Sequence, residues 1–281
     1  MKEVGELMRS PVVTVSKNDT VARARNLMLR EMVSRLVVVE GTSPMGILTK
    51  KDLVRDLASY KMRNRELDSI MVLEIMRTPV KVIQERATVE EAAKTMISAN
   101  IRGLPVVDSG GSLVGIITKT DMTSYYFQSH KGRHTVGEIA RKIDQTPVVK
   151  RMHSFYRVVD MMEAYSADRV IVEEGKKPVG IITETDLSFL RPYRGSEPFI
   201  KGTAIKSEEP WPTRLYQLPT AESLMTVEPI TVEEEQDAAE AARTLLENGI
   251  GGMPVVNKEY ELVGMITKFD FVKAIAREGS A

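Results

Sequence analysis

Gly115-Ile116-Ile117-Thr118-Lys119-Thr120-Asp121 passes from an aliphatic strand into a polar helix start. The same register occurs three more times: Gly46-Ile47-Leu48-Thr49-Lys50-Lys51-Asp52, Gly180-Ile181-Ile182-Thr183-Glu184-Thr185-Asp186 and Gly264-Met265-Ile266-Thr267-Lys268-Phe269-Asp270. The four Asp residues stand 69, 65 and 84 positions apart. Self-similarity at such a period marks a chain built from one repeated supersecondary unit.

Each string is preceded by a proline that opens a β-branched run: Pro11-Val12-Val13-Thr14-Val15, Pro79-Val80-Lys81-Val82-Ile83, Pro147-Val148-Val149 and Pro229-Ile230-Thr231-Val232. An amphipathic helix is predicted between the two signals. Val89, Ala92, Ala93, Met96 and Ile97 share one face in repeat 2, and Ala238, Ala241, Ala242, Leu245 and Leu246 do so in repeat 4. Thr88 with Glu91, and Thr231 with Glu234, have capping-box spacing. Leu104 to Val107, the turn Asp108-Ser109-Gly110-Gly111, and Leu113 to Ile117 read as two strands around a turn. A further helix opens at the Asp of each string. The fold class is therefore α+β, with four β-α-β-β-α units. A unit of about 60 residues buries too little surface to be stable alone, so the units are expected to pair. The expected modules are residues 1–130 and 131–281, the second with an insert at 191–220 that carries Pro192, Pro198, Pro210, Pro212, Pro219 and Trp211. That insert reads as an ordered or semi-ordered loop.

The chain has 281 residues, with 39 Lys+Arg against 39 Asp+Glu. Zero net charge argues against a broadly basic nucleic-acid binder. The absence of Cys excludes a disulfide framework, thiol nucleophiles and thiolate metal sites, and three His leave little material for acid–base chemistry. No apolar run approaches the ~18 residues of a membrane span, and the acidic N-terminus is not read as a secretory signal. A cytoplasmic location is expected. No Walker A string, nucleophile elbow or Gly-x-Gly-x-x-Gly helix start is present. The expectation is a protein that is not an enzyme.

At these motifs the chain resembles the CBS domain, the module named after cystathionine beta-synthase. The marks are the Pro-led strand, the Leu104–Val107 and Met253–Val256 strands, and the Gly-x-x-Thr-x-x-Asp string. The arrangement is similar to stand-alone archaeal CBS proteins and to the gamma regulatory subunit of AMP-activated protein kinase. The resemblance implies repeats paired into Bateman modules, each with two clefts for an adenosine-containing ligand: AMP, ADP or ATP, with or without magnesium, or another adenosyl compound such as S-adenosylmethionine.

It further implies roles for particular residues. The ribose would meet Asp52, Asp121, Asp186 and Asp270. The Asp121 cleft would use Thr118 and Thr120 with Ser10, Pro11, Val12, Ser34 and Arg35 of repeat 1. The Asp52 cleft would use Thr49 with Thr78, Pro79, Val80 and Arg102 of repeat 2. The Asp186 cleft would use Thr183 and Thr185 with Pro229, Ile230, Ile250 and Gly251. The Asp270 cleft would use Thr267 with Thr146, Pro147, Val148 and Arg169. Threonines and arginines would face ribose and phosphate; the Pro-led strands and the residues before the second strand would face adenine. A carboxylate suits vicinal hydroxyls, and a guanidinium fork suits phosphate.

Phe269 and Lys51 replace the second Thr of the string, Gly249-Ile250-Gly251-Gly252 lacks a basic residue, and Asp168 adjoins Arg169. The first two clefts therefore rank above the others. Bland readings stand beside the sharp ones. Thr-x-x-Asp is also a helix cap, each string's Gly can serve close packing, and Arg35 and Arg102 can be solvated charges. Met28 with Met32, and Met161 with Met162, read as core filler. His130 and His134 have i, i+4 spacing without a carboxylate motif, so no metal site is assigned. Lys61 to Arg65 reads as a solvated connector. A ligand-free scaffold for oligomerisation or partner docking, homodimerisation included, is the rival of a different class. An unidentified protein partner is expected, and neither nucleic acid nor membrane is.

Overall fold

The computed structural model describes residues 2–57, 65–188 and 219–278. The insert at 191–220, apart from Pro219 and Thr220, and most of the Lys61–Arg65 connector lie outside the described residues.

Four α+β repeats follow one another. Repeat 1 comprises β1 (Thr14–Ser16), α1 (Val21–Arg30), β2 (Arg35–Glu40), β3 (Ser43–Thr49) and α2 (Lys50–Leu57). Repeat 2 comprises α3 (Val72–Ile75), β4 (Ile83–Gln84), α4 (Val89–Ser98), β5 (Gly103–Val107), β6 (Leu113–Thr118) and α5 (Lys119–Ser129). Repeat 3 comprises α6 (Val136–Ile139), β7 (Arg141–Lys142), β8 (Val148–Val149), α7 (Phe155–Ala164), β9 (Arg169–Glu174), β10 (Lys177–Thr183) and α8 (Glu184–Ser188). Repeat 4 comprises α9 (Ala221–Leu224), β11 (Thr226–Val227), β12 (Val232–Glu233), α10 (Ala238–Glu247), β13 (Gly252–Val256), β14 (Leu262–Thr267) and α11 (Lys268–Glu278).

The Pro-led strands are shorter than predicted, and most begin later. Proline has no N–H to give a ladder, so pairing starts beyond it: Thr14 to Ser16 run parallel to Val37 to Val39, and Ile83 pairs with Val106. The β5–β6 hairpin is as predicted, with Asp108 Oδ1 accepting from the Gly110 and Ser112 amides and Gly111 at φ +82. Thr88 and Glu91 form the predicted capping box. Thr231 and Glu234 do not, because α10 begins only at Ala238 and Asp237 caps it. Met28 and Met162 enter cores, but Met32 is 89% exposed. Helix α1 ends at Arg30 and Met32 turns to φ 51, so the i+4 spacing no longer holds it on the buried face.

The segment leading each repeat docks on the neighbouring repeat. Arg9 exchanges backbone hydrogen bonds with Ile116 at 2.9 and 3.0 Å, and Arg77 does so with Ile47 at 2.8 and 3.1 Å. In the second half β7 pairs with β14 and β11 with β10, the same exchange written as strands. Ile70, Val72 and Ile75 of repeat 2 complete the repeat 1 core around Met28, Leu36 and Leu48. Ala221 of repeat 4 joins Val149, Val158, Val170 and Ile182 of repeat 3.

The exchange explains the glycine of the recurring string. A methyl group on Gly46, Gly115 or Gly180 would overlap the sulfur of Met76, Met8 or Met225 respectively. On Gly264 it would overlap the Arg141 carbonyl.

Two compact units result. One contains Met1–Ala140, Glu234–Gly252 and Ile266–Ala281; the other contains Arg141–Glu233 and Met253–Met265. In the first, α4, α5, α10 and α11 pack together. Tyr126 and Phe271 meet there at 5.0 Å between ring centroids.

Candidate functional site

The four Thr-x-x-Asp corners share one local geometry. Each strand ends at the Thr, the helix starts on the next residue, and the Asp falls in the first turn. In each, one Asp oxygen accepts from the backbone N–H and the hydroxyl of the Thr. For Asp121 the distances are 2.8 and 2.6 Å, for Asp52 3.1 and 2.6 Å. For Asp186 both are 2.7 Å, and for Asp270 they are 2.9 and 2.7 Å. The capping reading of the string is thus realised in all four copies. It uses Oδ2 and leaves Oδ1 to be decided by tertiary structure.

There the four corners diverge. Arg9 Nε lies 2.7 Å from Asp121 Oδ1, and Arg77 Nε lies 3.0 Å from Asp52 Oδ1. Both arginines come from the neighbouring repeat and are brought in by the exchanged backbone contacts. Lys273, one turn along α11, reaches Asp270 Oδ1 at 3.0 Å, and Asp270 is only 1% exposed. Among the described residues no cation reaches Asp186. Thr226 occupies the place in repeat 4 that Arg9 and Arg77 hold in theirs.

Sequence reading missed Arg9 and Arg77. Their signal was the phrase Glu6-Leu7-Met8-Arg9-Ser10-Pro11-Val12, echoed by Glu74-Ile75-Met76-Arg77-Thr78-Pro79-Val80. Of the residues named for the Asp121 cleft, Ser10, Pro11 and Val12 follow Arg9 directly and Thr118 holds the carboxylate. Thr120 gives its amide to Thr118 Oγ1 at 3.3 Å.

Arg35 reaches from β2 into repeat 2, where Nη1 donates to the Arg102 carbonyl at 2.5 Å and the guanidinium lies against Gly103. Burial, and next the neighbouring Arg102 charge, pull the Arg35 pKa down to about 10, against the opposing pull of Asp121. Arg35, Arg102 and Asp121 are therefore one electrostatic neighbourhood rather than scattered surface charges. Arg9 pairs with Asp121 directly and Arg35 is coupled to it through space, with Arg102 in turn beside Arg35, so the corner carries more cation than anion, a field that draws an anion.

The other named residues are placed less suggestively. Ser34 is exposed, and Thr78 donates from its hydroxyl to the Met45 carbonyl at 3.1 Å beside exposed Pro79 and half-buried Val80. Thr146 is buried and bonds the Lys142 carbonyl, Pro147 gives its carbonyl to the Ile171 amide, and Val148 packs with Ile171. Arg169 is buried and bonds its neighbour Asp168 at 2.8 Å. Thr183 and Thr267 act as caps, Thr185 is exposed, Pro229 and Ile250 are half-buried, and Ile230 is exposed. Gly251 accepts from the Lys268 amide at 3.1 Å. His130 and His134 face Tyr126, and among the described residues no cluster of three metal-ligating side chains occurs.

The sequence model of the CBS domain matches residues 4–59, 72–127, 136–191 and 221–277. The chain belongs to the CBS-domain family. Its four CBS repeats span most of the sequence. Protein MJ1225 of Methanocaldococcus jannaschii, proposed as an archaeal homolog of g-AMPK, superposes with a TM-score of 0.75 over 98% of this chain and 100% of its own at 23% identity. In sequence the two are 27% identical over 293 residues, 94% of this chain and 95% of MJ1225. MJ1404 of the same organism is 27% identical over 280 residues, and MK0525 of Methanopyrus kandleri 36% over 120 residues. The CBS chain spans 62% and 60% of the lengths of those two relatives. Among the described residues no helix is long and apolar enough to cross a membrane.

Proposed function

We propose that this chain is a non-catalytic cytoplasmic regulator that binds an adenine nucleotide (AMP, ADP or ATP) in clefts between paired CBS repeats, within modules 1–130 and 131–281. The supporting observation is the Asp121 corner. An acceptor suited to ribose hydroxyls is paired with Arg9 and coupled to Arg35, whose own neighbour is Arg102, beside the start of an 11-residue helix whose first amides favour negative charge. The cationic surroundings favour a phosphorylated ligand over S-adenosylmethionine. Binding favours one arrangement of the repeats, and a protein partner reads it, so the chain reports adenylate levels.

The Asp270 corner supports a different role. Its carboxylate is 1% exposed and is held by Thr267 and by Lys273 from its own helix, a burial that suits a structural corner rather than a ligand site.

Thermal shift of the full chain with AMP, ADP, ATP and S-adenosylmethionine tests the reading. One site at ~100 times its dissociation constant adds about 2.7 kcal/mol. The expected result is a nucleotide-dependent rise in melting temperature that D52A/D121A removes. A rise equal in wild type and variant overturns the assignment of these clefts.

A further inference from the structure

We propose that Arg9 competes with the ligand's ribose for Asp121 and, once displaced, takes the ligand's phosphate, so that this cleft selects phosphorylated adenosines over neutral ones. The proposal rests on the reading that Asp121 accepts ribose hydroxyls, and it adds the residue that sets selectivity.

The argument is one of acceptor capacity. A carboxylate offers about four lone-pair sites. Asp121 already accepts three hydrogen bonds: the Thr118 amide at 2.8 Å, the Thr118 hydroxyl at 2.6 Å and Arg9 Nε at 2.7 Å. A vicinal diol asks for two, and one site remains. One present donor must therefore leave. The Thr118 amide is an orphan donor at the start of α5, and the Thr118 hydroxyl is oriented by accepting from the Thr120 amide, so releasing either would loosen the helix cap. Arg9 has a side chain 67% exposed, and its main-chain bonds to Ile116 do not depend on its guanidinium. Arg9 is the group that yields.

What it gains on leaving decides selectivity. A neutral adenosine gives the released guanidinium only water. A nucleotide brings phosphate oxygens, which accept a guanidinium fork in charge-assisted bonds. Arg35 is buried and spends Nη1 on the Arg102 carbonyl, whereas Arg9 is exposed and bonded to Asp121 itself, which sets Arg9 apart. Arg77 on Asp52 repeats the arrangement in the sister corner.

The test is calorimetric titration of the full-length chain with AMP and with adenosine, in wild type, R9Q, R9K and D121A. D121A marks the binding event that belongs to this cleft. In R9Q the preference for AMP over adenosine is expected to fall about tenfold, the size of one charge-assisted hydrogen bond, while adenosine binds no more weakly than in wild type. R9K is expected to recover part of the preference. An unchanged preference in R9Q, with AMP binding still removed by D121A, overturns the role of Arg9 and leaves the cleft standing. Binding that is identical in wild type and D121A overturns the cleft itself.

Discussion

Arg9 and Asp121 are 112 positions apart in sequence and 2.7 Å apart in the fold. The pair is one half of a reciprocal arrangement, since Arg77 of repeat 2 meets Asp52 of repeat 1. Each repeat supplies the counter-ion for the other's helix-capping carboxylate. The backbone does the positioning, through the Arg9–Ile116 and Arg77–Ile47 contacts, and the side chains then meet across it.

The two partners of this pair should differ in their cost to stability. R9Q removes an exposed guanidinium and is expected to cost about 0.5 kcal/mol. D121A removes the bonds to Thr118 and is expected to cost about 1–2 kcal/mol. Urea unfolding of both variants and of R9Q/D121A checks this. Equal costs would mean that the cap contributes nothing.

Two glycines of repeat 2 should fail for different reasons. In G115A the new methyl group displaces Met8, and a cost of about 1–3 kcal/mol is expected. G111A has open space but requires φ +82, so a backbone cost of about 1 kcal/mol is expected. Hydrogen exchange separates them: the Arg9 and Ile116 amides should lose protection in G115A and keep it in G111A.

The α5–α11 junction should be sensitive to acid. His130 is 3% exposed, stacks on Tyr126 at 4.5 Å, and meets Ser129 Oγ through Nδ1 at 2.7 Å and Glu278 Oε2 through Nε2 at 2.9 Å. Arg133 shares Glu278 at 3.1 Å, and His134 lies beside the same tyrosine. Burial is the largest influence on His130 and lowers its pKa; Glu278 opposes it, and Arg133 and His134 add to it. The unfolded chain therefore binds a proton first. The stability this group contributes is complete above its ordinary pKa of about 6.5 and is lost as pH falls below it. Melting temperature should drop between about pH 7 and pH 5.5, and the drop should be smaller in H130N. An equal drop in H130N would remove His130 as the cause.

Tyr126 anchors the same junction. It is fully buried between His130 and Phe271, with its hydroxyl 2.8 Å from His134 Nδ1. Y126F should cost about 1 kcal/mol for the hydrogen bond, and Y126A about 3–5 kcal/mol for the cavity. Denaturant titration with both variants tests the order. A Y126F cost matching that of Y126A would place the stability in the hydroxyl instead of the ring.

Much of the architecture was legible because its signals are local. The strand–turn–strand at Leu104–Ile117 and the Thr88 cap depend on residues within a few positions of one another, so propensity and pattern suffice. The failures were also local in origin. Thr231 and Glu234 have the right spacing, but the helix starts at Ala238, after the strand they flank. Met32 has helical spacing on a helix that has already ended. Of the candidate site, the carboxylates and threonines were readable as a recurring string; the echoed Met-Arg-Ser/Thr-Pro-Val phrase marks Arg9 and Arg77 as a repeated feature, but what they face lies 112 and 25 positions away and is not written in it.

Sequence by itself determined the repeat, its α+β order, the capping corner and the four carboxylates, because each follows from spacing within a single unit. Tertiary structure alone decided that Arg9 and Arg77 of a neighbouring repeat meet Asp121 and Asp52, and that no cation among the described residues meets Asp186; Lys273 meets Asp270 from three positions along the same helix, a local contact. The physical reason is that ion pairing acts through space at about 3 Å, and the exchange of leading segments between repeats sets that distance without leaving a trace in the spacing along the chain.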